Sequence, residues 1–201
     1  MNNLRNRILF PGNPWPNGHL ITMFRWFAGI RPLEEALIEG RELRFVMGMR
    51  FELQTEEYYA ADNESARVEE ENYKDNWKAK ASWRNYHRCY MGPSGTSYSP
   101  GIICSDGTKK FKFDCETYSF SADPLPIDPE EFYNENVFGI YLLGHDTVAD
   151  HKIFLHNRQA DGSYTVDWTG KIALTYSGEE EFLHDFVAHV EGVRFDAIEL
   201  A

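Results

Sequence analysis

Strict alternation of apolar and polar residues is the strongest pattern in this sequence. In LRFVMGMRFEL, residues 43–53, every second position is apolar, and the residues between them include Arg44, Arg50 and Glu52. Successive side chains of a strand point to opposite faces, so this period of two predicts a long strand with one face against an apolar interior. The apolar positions are Leu43, Phe45, Met47, Met49, Phe51 and Leu53.

The C-terminal third of the chain repeats this alternation. YTVDWTGKIALTY, residues 164–176, predicts one strand of about thirteen residues, joined by the turn ADGS to the preceding strand KIFLHN. A further alternation runs from Phe182 to Val190 and changes phase at Gly192, which predicts a β-bulge at that glycine. On this strand His184 shares the apolar face, which is typical of a hydrogen-bonded core histidine.

Turn residues, an apolar run and a helix-capping pattern predict further elements between these strands. Asp106 and Gly107 indicate a two-residue hairpin turn between IICS and TKKFKFD, and VFGIYLL reads as a buried strand. Asp128, Pro129 and Glu131 form the capping pattern that begins a short helix.

The N-terminal region is predicted to be helical. Asn17 is positioned to cap a helix over residues 18–28 that Gly29 ends, and Pro32 opens a second helix, PLEEALIE, that Gly40 closes. We therefore predict one α+β domain over residues 1–201, with a helical cover at 1–40 and a mostly antiparallel, strongly twisted sheet of long amphipathic strands at 41–201. A closed barrel around a small cavity is the alternative.

Composition and charge narrow the class of function. The formal net charge is -12, from 32 acidic and 20 basic residues, which disfavours binding to long nucleic acid or to an anionic membrane and suits a basic protein partner. The 3 cysteines include no CxxC pair, and no signal peptide or membrane span is predicted, so we expect reduced thiols in the cytoplasm. Exposed edges of the sheet can pair between two copies of the chain, so a homodimer is compatible with the sequence.

Two clusters could bind small ligands. The segment GHDTVADHKIFLH gathers imidazoles and carboxylates that could hold a divalent metal, although a solvated turn is the ordinary alternative. The metal candidates are His145, Asp146, Asp150 and His151, with His156 beside them. A strand over residues 77–91 would place basic and aromatic side chains on one face suited to an anion, or to ion pairs with nearby glutamates. The anion candidates are Lys78, Lys80, Arg84, Tyr86 and Arg88.

No motif in the sequence carries the spacing of a known catalytic or cofactor site. We therefore predict a non-catalytic binding or inhibitory module, for example one that neutralises a basic toxin, without a resident cofactor. A small-molecule or metal-dependent hydrolase that uses the histidine turn or the basic face is the alternative. The acidic contact candidates for a protein partner are Glu69, Glu70, Glu71, Glu179, Glu180 and Glu181.

Overall fold

A computed structural model describes residues 5–32, 45–60, 75–94, 101–106, 110–127 and 136–200. Strands dominate this part of the chain, and its helical content is limited to two short 3-10 helices, Lys80–Arg84 and Thr175–Ser177. The strands are β1 (Arg7–Leu9), β2 (His19–Pro32), β3 (Phe45–Thr55), β4 (Tyr90–Pro93), β5 (Ile102–Ser105), β6 (Tyr118–Ala122), β7 (Phe138–Tyr141), β8 (His145–His156), β9 (Tyr164–Ala173), β10 (His184–Val193) and β11 (Phe195–Leu200).

The sheet closes on itself as a barrel of 8 strands. Its order is β2-β1-β10-β9-β8-β7-β4-β3, and pairing of β2 with β3 completes the ring. Each neighbouring pair in the ring is antiparallel. The predicted α+β fold with a helical cover is therefore wrong, because the sheet covers its own apolar face by closing around it.

Residues 19–28, predicted as a helix, belong to strand β2. This strand pairs with β3 from Ile21 to Pro32. Trp26 and Phe27 are both buried although they point to opposite faces, so the strand is covered on both sides and its sequence lacks simple alternation. The predicted helices that begin at Pro32 and Asp128 lie outside the described residues, apart from Pro32 itself, which ends β2.

Three long strands confirm the alternation seen in the sequence. On β3 the side chains of Met49, Phe51 and Leu53 are fully buried, whereas at the start of the strand Phe45 is exposed and Val46 is buried, opposite to the prediction. The alternation in β9 places Trp168 in the core, and β9 ends at Ala173 instead of continuing to residue 176. The predicted bulge is confirmed, since the pairing register of β9 with β10 shifts between Val190 and Val193.

Strand β11 follows β10 directly and lies outside the ring, where it pairs with β2. Gly192 has a φ of +74°, which a residue with a side chain rarely adopts, and the chain bends there before β11 pairs in parallel with β2. Arg25 on β2 holds β11 through Asp196 and Glu199, each at 2.9 Å. These ion pairs fix the end of the described chain to the barrel.

The barrel interior is filled by large side chains. Trp168 lies near the rings of Phe138, Phe186 and Phe51, with centroid separations of 4.9, 6.0 and 6.0 Å. A barrel of this strand number is just wide enough for such filling. No helix in the described ranges has the length and apolar character needed to cross a membrane.

The strand VFGIYLL is confirmed as β7, whereas the described part of the second strand of the hairpin predicted at Asp106 and Gly107 is not formed; residues 107–109 lie outside the described chain. Strand β5 pairs with β3, with Ile102 opposite Met49. Residues 110–114, predicted as the second hairpin strand, have no regular structure. The partner of β5 is therefore a distant strand that local turn signals do not reveal.

Candidate functional site

Four connections of the barrel meet at one of its ends. They follow from the alternating strand directions, and their described residues, 10–18, 56–60, 75–89, 142–144 and 174–183, lie on the same side. Residues 61–74 lie outside the described chain. The opposite end receives the connections that carry β5 and β6.

Aromatic side chains from these connections close this end of the barrel. His19 lies at the centre of the group, with ring centroids of Tyr58 and Trp15 at 5.0 and 5.3 Å. Trp83 makes an edge contact with Tyr58 at 5.0 Å. We call this group the aromatic cap; it consists of Phe10, Trp15, His19, Tyr58, Tyr59, Trp77, Trp83 and His184.

The segment predicted as a basic strand instead builds part of the aromatic cap. Residues 80–84 form a 3-10 helix, and β4 begins only at Tyr90. The indole of Trp77 donates a hydrogen bond to the carbonyl of Pro11 at 2.8 Å, and that of Trp83 donates to the carbonyl of Trp77 at 3.1 Å. The prediction of a strand here is wrong, although both tryptophans are buried as it required.

The predicted anion-binding residues therefore do not share one strand face. Lys78 pairs with Asp75 at 2.8 Å, and Arg88 pairs with Glu57 at 3.0 Å. Tyr86 packs against another tyrosine ring with centroids 5.2 Å apart, while Lys80 and Arg84 are exposed. These ion pairs agree with the alternative interpretation, in which the basic side chains pair with nearby acidic residues. Binding of an anion by this segment stays an untested prediction.

Polar atoms of the loop over residues 11–18 and of the adjoining His19 stand out in and beside the aromatic cap. Asn13 Nδ2, Trp15 Nε1 and His19 Nε2 are each buried and have no hydrogen-bond partner in the described structure. The Asn13 side chain is oriented by its Oδ1, which accepts from the backbone N–H of Trp15 at 3.0 Å. Buried polar groups in native proteins are nearly always paired, so three such nitrogens together need an explanation.

One positively charged side chain, Arg7, lies beside this loop. Arg7 donates to the carbonyl of Gly18 at 3.0 Å. Burial, with a smaller contribution from the charge of Arg7, lowers the pKa of His19 to about 4. At neutral pH His19 is therefore an uncharged imidazole.

His184 closes the cap from the start of β10. Its ring stacks on Trp77 with centroids 4.0 Å apart and planes at 8°, and Glu179 lies 3.9 Å from its Nε2. Burial lowers the pKa of His184, and Glu179 acts in the opposite direction. The predicted hydrogen-bonded core histidine is thus a stacked, half-buried side chain whose Nε2 has no hydrogen-bond partner in the described structure.

The four predicted metal ligands lie apart from one another. His145 is exposed, whereas Asp146 is buried and accepts from the N–H groups of Leu143 and Gly144. Asp150 pairs with a lysine on the surface. Within the described ranges, no three His, Cys, Asp or Glu side chains are grouped as metal ligands. The segment is strand β8 and not the predicted turn, and metal binding by it stays a prediction without geometric support.

His151 belongs to the barrel core instead. Its Nδ1 accepts from the indole of Trp168 at 3.1 Å, and its Nε2 lies 3.7 Å from a carboxylate oxygen of Asp123. Burial lowers the pKa of His151 to about 3 and raises that of Asp123. Asp123 also accepts from the N–H of Val137, so it joins β6 to the start of β7.

His156 lies on the outer face of the barrel, not at a site with the other candidates. It is 2.8 Å from Asp167, which also contacts His189 at 2.6 Å. Among the acidic candidates, Glu179 faces His184, and Glu180 and Glu181 are exposed. The candidates at 69–71 lie outside the described residues.

Sequence reasoning did not single out Asn13, Trp15 or His19. They occur in FPGNPWPNGH, which has the proline, glycine and asparagine content of an ordinary turn. A tryptophan inside such a turn is the one available signal, since a large ring in a loop needs a surface to pack against. Comparison of the chain with protein-family models, with curated proteins and with solved structures found no match.

Proposed function

We propose that this protein binds a small, flat, largely apolar molecule at the aromatic cap. The observation that carries this proposal is the set of unpartnered buried nitrogens on Trp15 and His19 within the aromatic cap and on Asn13, which is bonded to the backbone of Trp15. Ligand sites are mostly apolar with a few polar groups that fix the orientation of the ligand. The aromatic cap has this composition.

A cap that serves only to pack the end of the barrel explains these unpartnered nitrogens less well. Leaving a buried polar group unpaired costs about 1–3 kcal/mol, so a cap selected for stability alone would use aliphatic or paired side chains. Trp15 and Tyr59 are only partly buried, and their rings meet edge to face at 5.3 Å. They form the outer layer of the cap, and we propose that the ligand enters through this layer.

The indole N–H signals of the protein provide the test. The chain has 5 tryptophans, and each contributes one indole signal in a ¹⁵N-labelled sample. We expect naphthalene-2-methanol, a flat neutral probe, to shift the signals of Trp15 and Trp83. Trp26 and Trp168 lie away from the cap and serve as internal controls.

A matched variant separates site binding from general adsorption. Trp15→Leu removes the outer ring and should weaken the shift of Trp83, whereas Phe154→Leu removes an exposed ring from the outer wall of β8 and should leave it unchanged. The proposal is refuted if the probe shifts none of the cap signals, or shifts Trp26 and Trp168 equally.

A second proposal retains the prediction of a non-catalytic protein-binding module. One observation favours it: in the connection between β9 and β10, the large side chains Tyr176 and Leu183 are 62% and 63% exposed. Glu180 and Glu181 lie between them and are also exposed, so this turn combines apolar and acidic groups suited to a basic protein.

A pulldown at low and raised salt tests this second proposal. A basic protein recovered by the native chain should be lost at raised salt and lost with the double variant Glu180→Lys, Glu181→Lys. The variant Glu116→Lys changes charge at an exposed position elsewhere and should retain the partner. If the double variant recovers the basic protein as well as the native chain does, this turn is not the contact.

A further inference from the structure

We infer that the ligand of the aromatic cap carries a carboxylate, which the N–H groups of Asn13, Trp15 and His19 receive. This inference rests on the proposed function, because it names the polar group of the molecule bound at that site. It follows from the chemistry of the three unpartnered nitrogens and from the charge beside them.

Two of the nitrogens can only donate. The indole Nε1 of Trp15 has no acceptor capacity. Asn13 presents its Nδ2 because its Oδ1 is already occupied by the N–H of Trp15. An acceptor on the ligand is therefore required at both positions, and an amine or another pure donor would leave them unpaired.

His19 is compatible with the same acceptor. Its Nε2 is buried, and the imidazole is neutral at pH 7, so one tautomer places a proton on Nε2. The side chain of His19 is only 2% exposed, which means that an acceptor reaching it must come from within the cap.

The nearby charges favour a single negative charge on the ligand. Arg7 is held against this loop by its hydrogen bond to Gly18. The carboxylates described around the cap already have partners in the protein: Glu56 accepts from the N–H of Leu20, and Glu179 faces His184. One arginine and several neutral donors match a monoanion such as a carboxylate better than a phosphate dianion.

A matched pair of probes tests the inference. 2-Naphthoate and naphthalene-2-methanol share the ring system and differ in the charged group, and both are titrated while the Trp15 and Trp83 indole signals are followed. We expect 2-naphthoate to bind at least about tenfold more tightly, since hydrogen bonds to a charged acceptor are the stronger ones.

A substitution at Asn13 supplies the specific control. Asn13→Asp keeps an oxygen to accept from the N–H of Trp15 but replaces the donor by a carboxylate. It should abolish the preference for 2-naphthoate over naphthalene-2-methanol. Asn17→Asp makes the same change of charge at an exposed position of the same loop and should preserve the preference.

The outcomes distinguish this inference from the proposed function. Equal affinity for the two probes in the native chain overturns the carboxylate assignment and leaves the site intact. Binding of neither probe overturns both. A preference for 2-naphthoate that survives Asn13→Asp, or that Asn17→Asp removes equally, shows that general electrostatics and not the loop donors select the anion.

Discussion

Acidification is the perturbation to which this fold responds most directly, because two histidines are buried in their neutral form. Burial lowers the pKa of His151 to about 3 and, with the charge of Arg7, that of His19 to about 4, from an ordinary value of 6.5. In the unfolded chain both imidazoles take up a proton near pH 6.5, whereas in the folded chain they do not. Their contribution to stability is therefore complete above pH 6.5 and is lost as the pH falls toward the folded pKa values.

The expected size of this loss follows from proton linkage. Between pH 7 and pH 5 each buried neutral histidine lowers the free energy of unfolding by about 2 kcal/mol. The two together remove about 4 kcal/mol, a large part of the roughly 5–15 kcal/mol that holds a typical domain folded. Burial raises the pKa of Asp123 and Asp146, which acts in the opposite direction at lower pH, so the measurement belongs above pH 5.

The substitution His151→Asn isolates one of the two contributions. Its Oδ1 can accept from the indole of Trp168 as the imidazole does, but it cannot be protonated. Urea unfolding followed by tryptophan fluorescence at several values between pH 7 and pH 5 should show a lower stability at pH 7 and a pH-dependent loss that is smaller than the native one by about 2 kcal/mol.

The control is His156→Asn, which removes a half-exposed imidazole from the outer face of β8. If His151→Asn and the native chain lose stability in parallel as the pH falls, His151 is not a buried neutral group and the proposed core arrangement is refuted. For His156→Asn we expect the stability to fall with pH in parallel with that of the native chain.

Three further outcomes follow from single contacts. Gly18→Ala should destabilise the barrel by more than about 1 kcal/mol in urea unfolding, because the residue has φ +64° and a Cβ would lie 2.3 Å from the Ile8 carbonyl oxygen. Gly162→Ala, at φ +81° with open space around it, should cost less; equal losses would contradict the clash. Arg25→Gln should accelerate amide exchange in β11 but not in β9, and uniform acceleration would show that Asp196 and Glu199 do not anchor β11. A thiol reagent should modify Cys115 before Cys104, whose pKa burial raises to about 11, and should reach the buried Cys89 only on unfolding; rapid labelling of Cys89 would refute its burial.

The sequence predicted the strands whose two faces differ. β3 and β9 alternate because one face meets the core and the other meets solvent, and the bulge at Gly192 is visible as a change of phase. β2 could not be recognised in this way, since Trp26 and Phe27 are both buried. Closure of the barrel was predicted only as the alternative to a helix-covered sheet, because it depends on the short strand β1 and on pairing between remote segments.

The site was harder to predict than the fold, for a physical reason. Residues 77–91 alternate between apolar and basic positions, but in the structure Trp77 and Trp83 are buried by a 3-10 helix and its flanking turns. A period of two in a short segment does not require a strand when a tertiary contact decides the backbone. The unpartnered nitrogens are invisible in the sequence, since they are defined by what surrounds them.

The position of the aromatic cap connects the stability of the barrel to its proposed site. β1 and β4 have only 3 and 4 residues, so the walls on both sides of the β2–β3 pair are short. Hydrogen bonds from the Thr55 and Tyr58 N–H groups to the carbonyls of Cys89 and His87 continue the pairing irregularly beyond β4. The cap rings therefore fill space that longer strands would otherwise enclose, and removing a ring disturbs both the barrel and the site. Asn13→Asp changes the hydrogen-bonding groups while it keeps every ring, so it can test ligand recognition without removing any packing from the cap.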